Sequence, residues 1–424
     1  MTVCPTPVRR STRRWAFALL VALGLGAAGW WGYREFALDR HWQAAQAALE
    51  LHDGWRAYEE LQPCLLAWGD RQEILLVAAR AARLAGALDD AEAHVAACER
   101  LAPTDDDVRF ERMLLQAQQG DLQPYQEPLR RLLATPDERQ PTVLAALAGG
   151  LADTLQINEA AAYLDKIAQR DPEFVPMLLL AGELRVRYQH PTEARPFLEK
   201  AVERLPHALT PRLRLAECLL QLGAVREAAA HLELLRQQRP DHAEVLLALA
   251  RCRGYRNQSD SAQKLLDHLL LKHPQHLEAL VERGRLEQRV GDPILAQSWL
   301  RRALEINPDH LAAWQILEAS CLAAAQADPA RACRVEIERI ELESGRVQRL
   351  VVQAAQAPTP SVTVLTEVGD RWRRLHNGRE AQKYLFSALQ IDPRHGPTHR
   401  ALAELFEQTG QPHRAARHRA LAGT

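Results

Sequence analysis

Five histidines fall into two groups that could be metal ligands. Histidine is the commonest metal ligand and also the side chain that titrates near neutral pH. The two groups are His268, His273 and His276, and His413 and His418. A zinc site needs three or four ligands held in a fixed geometry, and closeness in the sequence does not establish one.

Several histidines recur at one place in a repeated phrase, which gives them a different explanation. The stretch "NPDHLAAW" at 307–314 is echoed by "RPDHAEVL" at 239–246, "HPQHLEAL" at 273–280 and "DPRHGPTH" at 392–399. The recurring histidines are His242, His276, His310 and His395. A histidine shortly after a proline, before an apolar run, is typical of a turn that starts a helix. We therefore expect neither a metal nor a cofactor.

Four glutamates, Glu336, Glu338, Glu341 and Glu343, form an acidic cluster on a predicted helix. At helical spacing Glu338 and Glu341 share one face, while the other two point roughly the opposite way. One carboxylate pair without a partner base is more typical of a solvated surface than of general acid–base catalysis. The sequence also has no H-E-x-x-H, G-x-S-x-G or P-loop motif. We expect no catalytic residues and no enzyme activity.

The composition favours a folded helical protein. Of the 424 residues, 47% are hydrophobic and only 5% are aromatic, and alanine and leucine, both strong helix formers, are abundant. The net charge of −1 gives no global attraction to nucleic acid. The seven cysteines include no C-x-x-C pair, so we expect them to be buried small hydrophobic residues.

The elements that carry these residues repeat every 34 positions. Three columns show the same period in phase: the prolines at 172, 206, 240, 274 and 308, the alanines at 160, 194, 228, 262 and 296, and the leucines four residues after each alanine. A period of 34 predicts an array of helical hairpins. Alanine allows two helices to cross closely, leucine packs on the same face, and proline ends the second helix. Glycines such as Gly86, Gly223, Gly291 and Gly410 are expected in the inner turns.

The columns resemble the tetratricopeptide repeat (TPR) family. The unit 277–310 supplies Leu280, Gly284, Gly291, Ala296, Leu300, Ala303 and Pro308. The resemblance covers roughly 38–424 and implies an all-α fold, a right-handed α-solenoid of stacked hairpins. It also implies a bacterial interaction scaffold without chemistry of its own.

The same resemblance assigns a register, in which three positions of each first helix face a concave groove. Position 5 is apolar, position 9 changes from acidic to basic, and position 13 is mixed. The residues are Leu179, Leu213, Leu247 and Val281; Glu183, Glu217, Arg251 and Arg285; and Arg187, Gln221, Tyr255 and Arg289. We expect an apolar groove floor with a charge switch along it, suited to an amphipathic helix or an extended peptide. The alternative is that the apolar column packs against the neighbouring helix.

The N-terminal stretch 15–33, "WAFALLVALGLGAAGWWGY", predicts a transmembrane helix. It is uncharged, it is about 28 Å long as a helix, and aromatic residues stand at both ends. Arginines at 9–14 favour a cytoplasmic tail, a single pass through the bacterial inner membrane, and periplasmic repeats. A cleaved signal peptide and the reverse orientation are alternatives. Small-residue pairs at Ala22/Gly26 and Ala28/Gly32 give a weak indication of a homodimer through this helix.

Departures from the period divide the chain. From Pro103 to Pro172 and from Pro308 to Pro393 the spacing exceeds two repeats, which predicts an irregular unit at 106–140 and either an extended or an added helix through 329–356. The unit at 38–71 is also irregular, because Pro63 falls inside its second helix. The expected segments are a basic tail (1–14), a transmembrane helix (15–33), a main solenoid (34–328), a helical insertion with a proline-rich turn (329–361) and C-terminal repeat units (362–424).

Charge is distributed unevenly between the two ends. Residues 35–110 carry 15 acidic side chains and 7 arginines, whereas 370–424 carry 10 basic and 5 acidic ones. The basic end could contact an anionic partner or the acidic start of another molecule, or it could simply be a solvated face. The predicted function is a membrane-anchored scaffold that binds peptide segments of unidentified protein partners. The alternatives are an accessory subunit of an envelope enzyme or assembly complex, or a secreted repeat protein.

Overall fold

The computed structural model describes residues 11–122, 124–134, 139–356 and 361–423, with side chains from 30 onward except that of residue 355. These residues form 22 helices and no strand. In chain order the helices are α1 (Ser11–Glu50), α2 (Gly54–Trp68), α3 (Gln72–Ala85), α4 (Leu88–Leu101), α5 (Asp106–Gln118), α6 (Gln126–Leu132), α7 (Gln140–Asp153), α8 (Ile157–Arg170), α9 (Val175–Arg187), α10 (Pro191–Arg204), α11 (Leu209–Gln221), α12 (Val225–Gln238), α13 (Ala243–Tyr255), α14 (Ser259–Lys272), α15 (Leu277–Val290), α16 (Pro293–Ile306), α17 (Leu311–Ala323), α18 (Ala327–Gln356), α19 (Val362–Arg374), α20 (Gly378–Ile391), α21 (Gly396–Gln408) and α22 (Pro412–Leu421).

Three of the helix pairs cross where one glycine meets one leucine. A Cβ atom added to Gly284 of α15 would lie 2.7 Å from Cγ of Leu300 on α16. The same relation joins Gly182 to Leu198 and Gly369 to Leu385. The leucines are fully buried because the missing side chain of each glycine leaves the space that they fill. This contact explains two columns of the sequence pattern.

The inner turn of every repeat contains one residue with a positive φ, and these residues keep the period of the sequence. Gly223 and Gly291 adopt φ values of 74° and 101°, as expected for glycine. Residues other than glycine take the same place in other units: Leu155, Gln189, Asn257 and Ala325, with φ values between 56° and 66°. The backbone geometry of the turn is therefore constant, although the residue type is not.

The insertion at 329–356 is part of one 30-residue helix, α18. The extra residues therefore lengthen the second helix of the unit at 311 and do not form an added helix. The proline-rich turn that was expected next falls largely on 357–360, which lie outside the described residues.

Helix α1 runs without interruption from Ser11 to Glu50. Its last part packs Leu38, Ala45 and Ala48 against α2. Among the described residues, no helix combines the length and the apolar character that crossing a membrane requires. The predicted transmembrane segment (15–33) falls mainly on 15–29, whose side chains lie outside the described part of the chain. The same is true of the basic tail (1–14) and of Ala22, Gly26 and Ala28 of the two small-residue pairs.

Candidate functional site

The apolar column of the predicted groove is not an open surface. Leu213, Leu247 and Val281 are buried in one continuous core, and Leu179 is half-buried against the same core. The expectation of an apolar groove floor was therefore wrong for these residues. Adjacent first helices pack closely enough to enclose position 5, which is the alternative that the sequence left open. Whether a partner contacts Leu179 stays a prediction.

The charged column forms ion pairs between neighbouring repeats. Arg214 of α11 lies 2.9 Å from Glu183 of α9 and 2.9 Å from Glu217 on its own helix. Although burial alone would lower the pKa of Arg214, the two carboxylates raise it overall. One unit further along, Arg251 of α13 pairs at 2.9 Å with Glu282 of α15. The residues of the predicted charge switch thus form a series of ion pairs from one repeat to the next, which we call the ladder.

Further contacts extend this ladder. Arg251 also lies 3.1 Å from Glu278, and Arg285 lies 3.2 Å from Glu282. Because these guanidinium groups neutralise carboxylates of the protein itself, a partner would have to exchange existing ion pairs to use them.

The third column contains the most accessible groups. The Tyr255 side chain is 62% exposed, and Gln221 is exposed beside a cavity. Arg289 is exposed too, and donates to the carbonyl oxygen of Gly254 at 3.1 Å. Arg187 pairs with Asp153 of α7.

A cavity of about 560 Å³ lies between the C-terminal halves of α9 and α11, Leu198 of α10 and the start of α20. Its lining is mostly charged or amide-bearing: Glu183, Val186, Arg187, Gln189, Leu198, Arg214, Glu217, Gln221, Arg379 and Glu380. Arg379 comes from the C-terminal units, and burial together with the nearby charge of Arg187 lowers its pKa. The C-terminal units therefore cover part of the concave face.

The C-terminal units are held there by contacts with the irregular unit at 106–140. Gln382 of α20 donates to the carbonyl oxygen of Gln119 at 2.9 Å. Arg417 of α22 pairs with Asp121 at 2.8 Å. A Cβ atom on Gly120 would lie 2.9 Å from the ring of Phe386. We call these contacts of α20 and α22 with residues 119–122 and Tyr125 the closure contact.

In the closure contact, the basic C-terminal end binds acidic groups of the same chain. Arg417 contacts Asp121, and the carboxylates of Asp89 and Glu92 on α4 act electrostatically on Arg414 of α22. Sequence analysis did not predict this contact. The available signals were the charge asymmetry of the two ends and the irregularity of 106–140.

A second self-contact joins the first hairpin to the middle of the array. Glu59 of α2 pairs with Arg239 at 2.8 Å, and the rings of Trp55 and His242 lie 5.5 Å apart. His52 lies edge-on to Phe174 with 5.0 Å between ring centroids. The array is thus curved tightly enough to contact itself at two places.

The histidines of the repeated phrase start helices, as expected. The Nδ1 atoms of His276 and His310 accept hydrogen bonds from the backbone N–H groups of Ala279 and Ala313, at 3.3 and 3.1 Å. His268 lies 2.6 Å from Asp241, and His413 is exposed. Within the described ranges, no group of three or more possible metal ligands occurs.

The acidic cluster and the cysteines have ordinary surroundings. Glu336 and Glu343 pair with Arg339 and Arg346 on the same helix. The six cysteines in the described part of the chain are buried and unpaired, which confirms the expectation for them. Burial raises the pKa of the Cys252 thiol to about 11, so this thiol is not reactive near neutral pH.

Comparison with known families identifies the repeat. Two family models, both described as tetratricopeptide repeat, match residues 185–252 and 219–284, and 277–310. Residues 185–310 are tetratricopeptide repeats. Helical hairpins continue on either side of these residues, so the part of the chain that the structure describes is all-helical and consistent with the predicted α-solenoid. The right-handed sense of the superhelix stays a prediction.

Several solved structures are similar to this chain at low sequence identity. The human IFIT1 dimer with m7Gppp-AAAA is 15% identical, with a TM-score of 0.44, over 83% of this chain and 89% of that one. The type IV pilus biogenesis factor PilW is 17% identical, with a TM-score of 0.43, over 48% and 94%. YrrB, a TPR protein with an unusual peptide-binding site, is 19% identical, with a TM-score of 0.36, over 44% and 96%. No curated protein matches the sequence.

Proposed function

We propose that this protein is an interaction scaffold that binds a peptide segment of a protein partner along the concave face of its TPR array, without catalysis of its own. The observation that carries the proposal is one charged surface along the first helices. It combines an inter-repeat ladder of charges with a cavity of about 560 Å³, on repeats whose fold is built to present such a surface.

The expected partner segment is polar. Because Leu213, Leu247 and Val281 are buried, the concave face offers few apolar sites for a bulky hydrophobic side chain. Hydrogen-bonding groups are available at Gln189 and Gln221, which line the cavity, and Tyr255 offers an exposed ring nearby along the array. An extended peptide that presents amide and charged side chains fits this surface better than an amphipathic helix does.

The structure also changes which substitutions test the groove. Reversing the charge of Arg251 would place an acidic group against Glu278 and Glu282, and Glu282 is itself buried. Loss of stability would then be confused with loss of binding. A substitution at Tyr255 tests binding without this complication, since its hydroxyl group makes no hydrogen bond among the described residues.

The proposal is tested by photo-crosslinking in cells. A crosslinking amino acid is placed at Tyr255 of the full chain and, as a matched control, at Leu271 on the second helix α14, which is 78% exposed. We expect a discrete protein adduct from position 255 that is absent from position 271. Identical adducts from both positions, or none from position 255, would argue against a concave binding site.

The adduct also discriminates between the two functions that the sequence left open. One enzyme captured in a stable one-to-one complex would make the protein an accessory subunit. Several partners that share a polar segment would make it a scaffold. Affinity for the captured segment should fall at least tenfold in a Tyr255→Ala, Gln221→Ala double variant with an unchanged melting temperature, because both side chains are exposed.

We further propose that residues 15–33 anchor the protein in the bacterial inner membrane, with the repeats on the periplasmic side. The support is the sequence pattern: an uncharged run preceded by four arginines and bounded by aromatic residues. Protease added to intact and to permeabilised spheroplasts tests the orientation. Digestion of the repeats in intact spheroplasts is expected, and protection there would reverse the orientation. A mature chain that lacks residues 1–28 would indicate a cleaved signal peptide.

A further inference from the structure

Four aromatic side chains cover all sides of one short stretch of α1. Trp30, Trp31, Tyr33 and Phe36 are each 62–70% exposed, and we call them the collar. At a turn of about 100° per residue, their directions around the helix leave no gap wider than about 140°. Among the described residues, no atom would lie within 4 Å of a Cβ on Gly32. The collar therefore has no neighbour within the described part of the chain.

The arrangement of the collar favours lipid over a protein partner as its surroundings. A folded partner covers one side of a helix and would leave some of the four rings in water. The interfacial region of a bilayer surrounds a helix on every side, and tryptophan and tyrosine are enriched there. The guanidinium carbon of Arg34 lies 6.0 Å from the centre of the Trp30 ring, and a cation beside an aromatic ring is also suited to this region. The collar thus supports the membrane anchor proposed for 15–33.

Helix α1 continues from the collar into the repeat array without a linker. Leu38, two residues after Phe36, is already buried against α2, and its carbonyl oxygen accepts from the thiol of Cys64 at 3.5 Å. Further along α1, His41 lies 2.8 Å from Glu60, so α2 runs antiparallel to α1. Because a helix rises about 1.5 Å per residue, the C-terminal end of α2 is held within a few ångströms of the level of the collar.

This end of α2 and the turn after it present side chains that suit a lipid interface. Leu66, in the last turn of α2, is 92% exposed. Trp68 is half-buried, and the guanidinium carbon of Arg71 lies 5.1 Å from the centre of its ring. A single exposed leucine is ordinary on a protein surface. Beside the collar, and next to a tryptophan covered by an arginine, it completes an interfacial set of residues.

We propose that Leu66, Trp68 and Arg71 form a second contact with the bilayer, in the headgroup region that surrounds the collar, and that this contact holds the array upright on the membrane. The inference rests on the membrane anchor of the proposed function. It adds which part of the array touches lipid and which part is kept away from it.

The opposite end of α2 connects to the middle of the array. Trp55 and Glu59 contact His242 and Arg239, so these middle repeats lie beside the first half of α2. With 15 residues, α2 is about 22 Å long, whereas the interfacial region on one side of a bilayer is only about 6 Å thick. The first hairpin therefore acts as a spacer between the lipid and the middle repeats.

Photo-crosslinking to lipid tests the contact as a depth profile along α2. A diazirine amino acid is placed at Leu66, Gln62 or Arg56, all exposed, in the full chain reconstituted into vesicles of phosphatidylethanolamine and phosphatidylglycerol at a ratio of about three to one. Leu271 is the matched control, since it is an exposed leucine in the last turn of another second helix. Lipid adducts are quantified by mass spectrometry.

We expect the highest yield of lipid adducts at position 66 and a lower yield at 62. Positions 56 and 271 should give yields lower by at least about tenfold, because position 56 is about 15 Å further along the helix than position 66. Equal yields along α2, or a yield at 66 no higher than at 271, would overturn the proposal. An adduct at position 66 that joins two copies of the chain would also overturn it, since a second copy would then cover this surface.

The same reagent at Trp30 separates this outcome from that of the proposed anchor. Lipid adducts from position 30 without any from position 66 would retain the anchor and reject the second contact. Absence of lipid adducts from position 30 would reject the anchor and the second contact together. Neither result bears on the concave binding site, which is tested independently by the adduct from position 255.

Discussion

The regular units between 141 and 310 and the irregular unit at 106–140 follow different rules of contact. In the regular units, the second helices have 14 residues each, and their alanine and leucine columns repeat at a spacing of 34. In the irregular unit, α6 has only seven residues, and Gln119, Gly120 and Asp121 contact helices of the C-terminal units. The regular units mostly stack on their neighbours and make one distant contact, with the first hairpin at Glu59. The interruption of the period accompanies the closure contact.

The physical reason lies in what a shortened helix leaves open. A full second helix covers the turn that precedes it and packs on the next hairpin. Where α6 is short, the turn at 119–121 presents a carbonyl oxygen, a residue without a side chain and a buried carboxylate. These groups are bound by Gln382, Phe386 and Arg417 instead. The irregular unit therefore provides the surface on which the C-terminal units pack.

The largest expected effect comes from one buried leucine in each region. Leu300→Ala in the regular units and Leu122→Ala beside the irregular turn both remove fully buried side chains, and each should lower the unfolding free energy by about 3 kcal/mol. Urea denaturation measures that loss. Hydrogen exchange should then separate the two variants, because only Leu122→Ala is expected to expose 412–421 under native conditions.

If Leu300→Ala exposed 412–421 as strongly as Leu122→Ala does, the two regions would be one cooperative unit and the distinction between them would be lost. Leu271→Ala on the exposed surface of α14 is the control, and it should change stability by less than about 0.5 kcal/mol.

A matched pair of glycines isolates the closure contact with an intermediate effect. Gly120 and Gly223 both have positive φ, at 89° and 74°, so alanine at either position costs about 1 kcal/mol of backbone strain. A Cβ on Gly120 also meets Phe386 at 2.9 Å, whereas nothing lies within 4 Å of a Cβ on Gly223.

Gly120→Ala should therefore destabilise the protein by about 1–2 kcal/mol more than Gly223→Ala does, because the contact with Phe386 is overpacked. Chemical denaturation of both variants measures the difference. Equal losses would mean that Phe386 moves aside at no cost and that the closure contact is loose at this point.

The stacked hairpins could be predicted from the sequence because each hairpin makes its contacts within about one period. The columns at Ala296, Leu300 and Pro308 report on neighbouring helices, and such local packing leaves a regular pattern. The closure contact could not be predicted in this way. Asp121 and Arg417 are separated by 296 residues, and a single pair of charges produces no periodic signal. Only the charge asymmetry of the two ends and the interruption at 106–140 indicated that something differed there.

The groove prediction failed for a related reason. The register of the first helices was taken from the family resemblance, and it placed Leu213, Leu247 and Val281 on an open floor. These residues instead lie in a core that is formed by side chains of several neighbouring repeats. The sequence of a single repeat does not show which of its positions its neighbours will cover.

The smallest predicted effect concerns the turns that the glycine pattern did not reveal. Ala325 adopts a φ of 57°, 34 residues after Gly291, so it occupies a glycine position with a side chain that strains the backbone. Ala325→Gly should raise the unfolding free energy by about 0.5–1 kcal/mol, since relief of the strain exceeds the entropy that glycine adds to the unfolded chain.

The control is Ala324→Gly, one residue earlier at a φ of −86°, which has no strain to relieve and should be neutral or destabilising. A thermal scan of both variants decides the point. If the two variants were equally stable, the positive φ at 325 would carry no strain, and the regular period would rest on side-chain packing alone, without a contribution from the turns.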